Sequence, residues 1–171
     1  MLIIEDGSNV TDSNCYISLA DAEAYYLDYM GSAWDAASSD DFKDSAILRA
    51  ARYLDALRWK GIRANGRSQS MAWPRAGVAD CDGTIITTDV VPIEVVRANA
   101  LFAFYELTAP SGLDPNVTLS TLAKREKVDV IEVEYRDTPT NAQSVRPIIT
   151  GAMDQIKCLV RSGNTEFLKR A

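Results

Sequence analysis

Residues 92–109, PIEVVRANALFAFYELTA, decide the fold class. Pro92 stands where a helix starts, since its missing N–H costs nothing in a first turn. Behind it Val95, Ala98, Leu101 or Phe102, and Tyr105 can all face inward. A helix apolar on that many sides needs neighbours on several of them, so this segment is expected to be the central core helix of an α-helical protein. Pro110, Gly112 and Pro115 end it.

Upstream lie two amphipathic segments that could supply those neighbours. Ser18 precedes LADAEAYYLDYM (19–30) and Asp21 stands at the third helical position, as in a capping box. Gly31 closes that helix. Ser38 or Ser39 opens a longer one, DDFKDSAILRAARYLDALRW (40–59). Its first turn is acidic and its last basic, as the helix dipole prefers. Phe42, Ala46, Leu48, Arg49, Ala50, Tyr53, Leu54 and Leu57 form a broad, mostly apolar stripe that stops near Gly61.

Downstream, VDVIEVEY (128–135) alternates apolar and acidic residues, as a half-exposed strand does. LAKREKV before it supplies a partner strand, giving a β-hairpin over about 119–136. Pro147 opens a last helix, PIITGAMDQIKCLVR (147–161), and Gly163 ends it. The fold class is therefore mainly α: a small bundle of about four helices with a long loop insertion and a β-hairpin. One domain spans 1–161, and 162–171 form a C-terminal tail whose Phe167 and Leu168 could anchor it to a partner.

The insertion carries the most unusual composition. RWKGIRANGRSQSMAWPRAG (58–77) combines Arg58, Lys60, Arg63, Arg67 and Arg75 with Trp59 and Trp73. Such a mixture suits a platform for single-stranded nucleic acid, with bases on indoles and phosphates on guanidiniums. It equally suits a protein interface, where Trp and Arg are enriched. A third reading is internal, with indoles pinning a loop to the core and guanidiniums capping carbonyls. A net charge of −6 weighs against the first, because sequence-independent binding to phosphate depends on positive charge. A second basic cluster, Lys124, Arg125 and Lys127, lies in the expected hairpin. It is either a charged, solvated edge or a set of contacts to DNA in a channel.

Charge is uneven along the chain. Residues 1–60 hold 5 basic and 11 acidic side chains, whereas 144–171 hold 5 basic and 2 acidic. An acidic front and a basic end suit head-to-tail self-association, in which each subunit presents both halves of one contact. No apolar run approaches a membrane span, and MLIIEDGSNV has neither the basic start nor the apolar core of a signal peptide.

The 171 residues include no histidine, so Ser-His-Asp triads, Cys-His dyads and His-ligated metals are ruled out. No catalytic residue, metal ligand or cofactor is expected, and the chain does not read as an enzyme. Cys15, Cys81 and Cys158 are odd in number and lack CxxC spacing, which argues against zinc and against a disulfide framework. They are expected to be reduced, packed side chains in a cytosolic setting. Asp80, Asp82 and Asp89 around Gly83 fall short of a calcium loop, and a plain turn is expected there.

Read in order, EDGSNVTDSNCYISLADAEAYY, Trp34, A-x-R-A-A-R-Y-L-D, RWKGIRA, QSMAWPRAG, D-x-D-G-x-I, VP-x-E-V-V-R-A and KVDVIEVEY resemble a family of small tailed-bacteriophage and prophage proteins. Its members are often labelled DnaT-like single-stranded-DNA-binding proteins and also look like head–tail adaptors, the head-completion proteins beneath the portal. The resemblance covers the chain to about residue 160. It implies a structural virion protein at the head–tail interface, assembled in the host cytoplasm. The implied partners are itself in a dodecameric ring, the portal, a tail-terminator or stopper protein, and double-stranded DNA passing through the lumen. Trp59, Arg63, Arg67, Trp73, Pro74 and Arg75 would then help form a neighbour- or portal-facing surface. The alternative implied by the label is a single-stranded-DNA-binding replication accessory protein.

Overall fold

The most apolar helix, α3 (Ile93–Thr108), buries Val95, Ala98, Asn99, Ala100, Phe102, Ala103 and Glu106. It packs against α2 (Asp40–Asp55), α4 (Thr150–Ile156) and, more lightly, α1 (Leu19–Met30). The computed structural model describes residues 1–30, 34, 39–114, 125–128, 131–134 and 149–161. Among them the architecture is mainly α, as expected, with four helices and two short antiparallel strand pairs. None of these helices is long and apolar enough to cross a membrane.

Each helix start follows from local chemistry. The Ser18 hydroxyl accepts the Asp21 amide at 3.0 Å and donates to the Asp21 carboxylate at 2.6 Å, closing the first turn of α1. Ser39 is the N-cap residue of α2, and Asp40 and Asp41 follow in its first turn. Pro92 caps α3, with its carbonyl accepting the Val95 amide at 2.9 Å. The stripe on α2 is displaced from the one expected: Lys43, Ala46, Ile47, Ala50, Ala51 and Leu54 are buried, while Phe42 is 43% exposed.

Two helices are shorter than the sequence suggests. The second stops at Asp55 instead of running towards Gly61, and the Trp59 indole N–H returns to the Leu54 carbonyl at 2.9 Å. The same carbonyl also accepts the Leu57 amide at 3.0 Å, so the indole adds a second donor at the helix end. The fourth begins at Thr150, not Pro147, and ends at Ile156. Beyond it the chain pairs with the segment after α2: Lys60 N–H donates to Leu159 O at 2.9 Å, and Arg161 N–H to Arg58 O at 2.8 Å. Long-range pairing outweighs the local helical pattern there.

The core is completed from the N-terminal segment. Asn99 is fully buried; its side chain accepts the Tyr16 amide at 3.0 Å and donates to Ile47 O at 3.2 Å. This single amide therefore ties α3 to α2 and to the strand-like N-terminus, where Ile4 bridges Cys15. Glu5, 1% exposed, holds the following turn by accepting the Gly7, Asn9 and Val10 amides and the Ser13 hydroxyl. Tyr26 stacks between Trp34 at 5.4 Å and Phe104 at 4.5 Å.

The cysteine expectation is corrected. Cys15 is the packed, free thiol expected, but Cys81 and Cys158 form a disulfide with Cα atoms 5.2 Å apart. They are separated by 77 positions, so spacing along the chain carried no sign of the pairing. The bond joins the insertion to the end of α4. The hairpin is present as β3 (Arg125–Val128) and β4 (Ile131–Glu134), with Val128 opposite Ile131. Val128 thus belongs to the first strand, whereas the alternation placed it at the start of the second.

Candidate interaction surface

The insertion begins with a turn that only glycine permits. Gly61 has φ +65°, and a Cβ there would lie 2.2 Å from the Ala76 carbonyl oxygen. This close approach allows β1 (Ile62–Arg63) to pair with β2 (Arg75–Ala76), placing Arg63 opposite Arg75. Between the strands, Gln69 is 2% exposed; it accepts the Asn65 amide at 3.2 Å and donates to Met71 O at 2.8 Å. The loop is thereby built around a polar side chain rather than an apolar plug.

Both tryptophans face inward. Trp59 is 4% exposed and Trp73 fully buried, and their rings meet edge to face at 5.5 Å. Pro74 follows a cis peptide bond and is buried too. The internal reading of the indoles therefore describes the isolated chain, and neither ring offers a face on which a base could stack. Arg75 is also mostly committed. Its guanidinium donates to Lys60 O at 2.7 Å, Gly61 O at 2.9 Å and Ala72 O at 3.0 Å, which locks the turn before β1 to β2.

Beneath this loop lies a polar contact that sequence reasoning did not find. The Tyr16 hydroxyl donates to Asp55 Oδ1 at 2.5 Å, and the Ala72 and Trp73 amides converge on the same two groups. Burial raises the Asp55 carboxyl above its ordinary 3.8, against the lowering effect of Tyr16, the Ala72 amide, Arg63 and Arg75. Burial also raises the Tyr16 hydroxyl well above 10, and the Asp55 charge adds to that shift. Tyr16 therefore stays protonated as the donor.

What faces water is a basic patch with an apolar centre. Arg58, Lys60, Arg63 and Arg67 are exposed, and Ile62 between them is 70% exposed. Arg161, from beyond α4, joins them: with Arg63 it lowers the Arg75 pKa, second to burial. The sequence hinted at Arg161 only through the basic balance of residues 144–171. Of the residues singled out beforehand, Arg63, Arg67 and Arg75 come together with the indoles behind them. Lys124, Phe167 and Leu168 lie outside the described residues, as does the whole tail 162–171; Arg125 and Lys127 are placed only as β3 backbone.

The described residues contain no group of three or more His, Cys, Asp or Glu side chains able to hold a metal. Asp80 Oδ1 accepts the Asp82 and Thr84 amides at 2.9 and 2.8 Å, so the acidic turn closes on itself.

The family model described as "Putative DnaT-like ssDNA binding protein" matches residues 1–171. No curated protein and no solved structure matches the chain.

Proposed function

We propose that this chain, which belongs to the DnaT-like ssDNA-binding family, works as a structural assembly protein, the head–tail adaptor of a tailed bacteriophage. The observation that supports this most is the burial of Trp59 and Trp73. A sequence-tolerant single-strand site draws much of its affinity from aromatic faces, and these two are used within the fold. The outside of the same loop instead presents arginines around an exposed isoleucine, the composition of a protein-binding surface. The adaptor resemblance of the motifs supplies the setting. On this reading the basic patch meets the portal, a tail-terminator or stopper protein, or the acidic face of a neighbouring copy in a ring. Lys124, Arg125 and Lys127 would border the DNA passage. The protein performs no catalysis and carries no cofactor.

The family description favours a second reading, single-stranded-DNA binding in replication. The exposed Arg63 and Arg161, both close enough to Arg75 to act on its charge, supply a basic surface for it. Deleting the gene from a phage that carries it separates the two. Free heads and free tails with normal DNA synthesis support the adaptor. Loss of DNA synthesis with few particles of any kind sinks it in favour of replication. In vitro, an Arg63→Glu/Arg67→Glu variant is expected to lose assembly while an oligonucleotide binds the native chain only weakly. Tight oligonucleotide binding that falls steeply with salt would reverse the conclusion.

A further inference from the structure

We propose that a second site, lined by none of the basic-patch residues, binds a small phosphate monoester on an organic body. The site is a pocket of about 370 Å³ where α2 meets the loop after α3. That volume lies within the range of small-molecule sites. Arg49, Arg52 and Tyr53 of α2, with Ala56 just after it, line the pocket at the spacing of one helix face. Ser111, Leu113 and Asp114 line it from the loop.

Glu106 sets the geometry of the wall. It is 1% exposed and accepts Arg49 Nε at 2.7 Å, the Ser111 amide at 2.9 Å and the Leu113 amide at 2.7 Å. A buried carboxylate with that many donors fixes both the guanidinium and the loop before any ligand arrives. Tyr53 is held against Phe102, ring centres 4.8 Å apart.

Arg49 is left incomplete by this arrangement. Its Nε is used, but its Nη2 is buried and has no hydrogen-bond partner among the described residues. A buried N–H without an acceptor is costly, and an oxyanion would relieve it. Arg52, exposed one turn further along, brings a second guanidinium. Planar donor forks match the oxygens of phosphate. The remaining lining specifies what carries the phosphate. Tyr53, Ala56 and Leu113 suit a compact apolar or ring-shaped body, while Asp114 and Ser111 can accept from its hydroxyl groups. Glu106 and Asp114 keep the pocket near neutrality, which disfavours polyanions and suits one phosphate. This inference does not depend on the adaptor reading.

Calorimetric titration of the full chain tests it with four probes: adenosine 5′-monophosphate, ribose 5-phosphate, inorganic phosphate and adenosine. Both monoesters are expected to bind, inorganic phosphate at least about tenfold more weakly, and adenosine not measurably. Arg52→Ala, at an exposed position, should keep the native melting temperature and lose at least about tenfold in affinity. Arg49→Lys, which retains charge but not the fork, should also weaken binding. Absence of binding by both monoesters would overturn the proposal. So would adenosine binding as tightly as its monophosphate, inorganic phosphate matching the monoesters, or unchanged affinity in Arg52→Ala.

Discussion

Tyr16 and Asp55 show how much a single buried contact organises. One hydroxyl and one carboxylate oxygen take up the amides of Ala72 and Trp73, so the N-terminal segment, the end of α2 and the insertion meet at one point. Tyr16→Phe leaves the two amides with fewer acceptors and should cost about 1–3 kcal/mol, read as a lower urea midpoint with an unchanged slope. The pH dependence has a definite sign. Asp55 binds its proton more tightly in the folded chain, so its contribution is most favourable below 3.8 and is lost as pH rises through the higher folded value. Asp55→Asn keeps an acceptor without the charge. Its stability relative to the native chain should therefore rise with pH across that window; a difference flat in pH would exclude burial of the carboxylate as the cause. Nothing local in NCYISL or RYLDAL links these residues, which stand 39 positions apart. A hydrogen bond at that separation leaves no periodic trace, which is why the sequence did not reveal it.

Elements were legible wherever their cause is local. The Ser18–Asp21 capping pair, Ser39 before α2 and Pro92 before α3 each mark a boundary through groups within one turn. Boundaries set by distant partners were not. The second helix ends where Trp59 reaches back to Leu54, and the fourth ends where residues 159–161 pair with 58–60. The basic stretch was conspicuous in composition, but composition could not reveal which way its indoles face. Gly61 is the point at which the insertion is most vulnerable. Gly61→Ala places a methyl against the Ala76 carbonyl in a backbone region that alanine avoids, at a cost of about 1–3 kcal/mol. Faster amide exchange should appear at 62–63 and 75–76 while α3 keeps its protection; equal protection throughout would show that the turn adapts.

At the scale of the whole molecule, the Cys81–Cys158 bond ties the chain ahead of α3 to the residues just after α4. Closing a loop of 77 residues is worth about 4 kcal/mol on the chain-entropy account. Cys81→Ser/Cys158→Ser should therefore unfold at lower urea, and a reducing agent should shift the native chain by the same amount while leaving that variant unmoved. Cys81 is exposed, so the reagent has access without global unfolding. Free Cys15 is buried, and burial raises its thiol to about 11, which slows exchange with the bond.

The same bond makes the chain a closed circle with two free arms. Residues 82–157, with α3 and the β3–β4 hairpin among them, lie inside the circle. A protease that severs the backbone once within it releases nothing. The cut chain should run as one band on a non-reducing gel and as two after thiol treatment, and α3 should stay seated on α2 after its own connection has been broken.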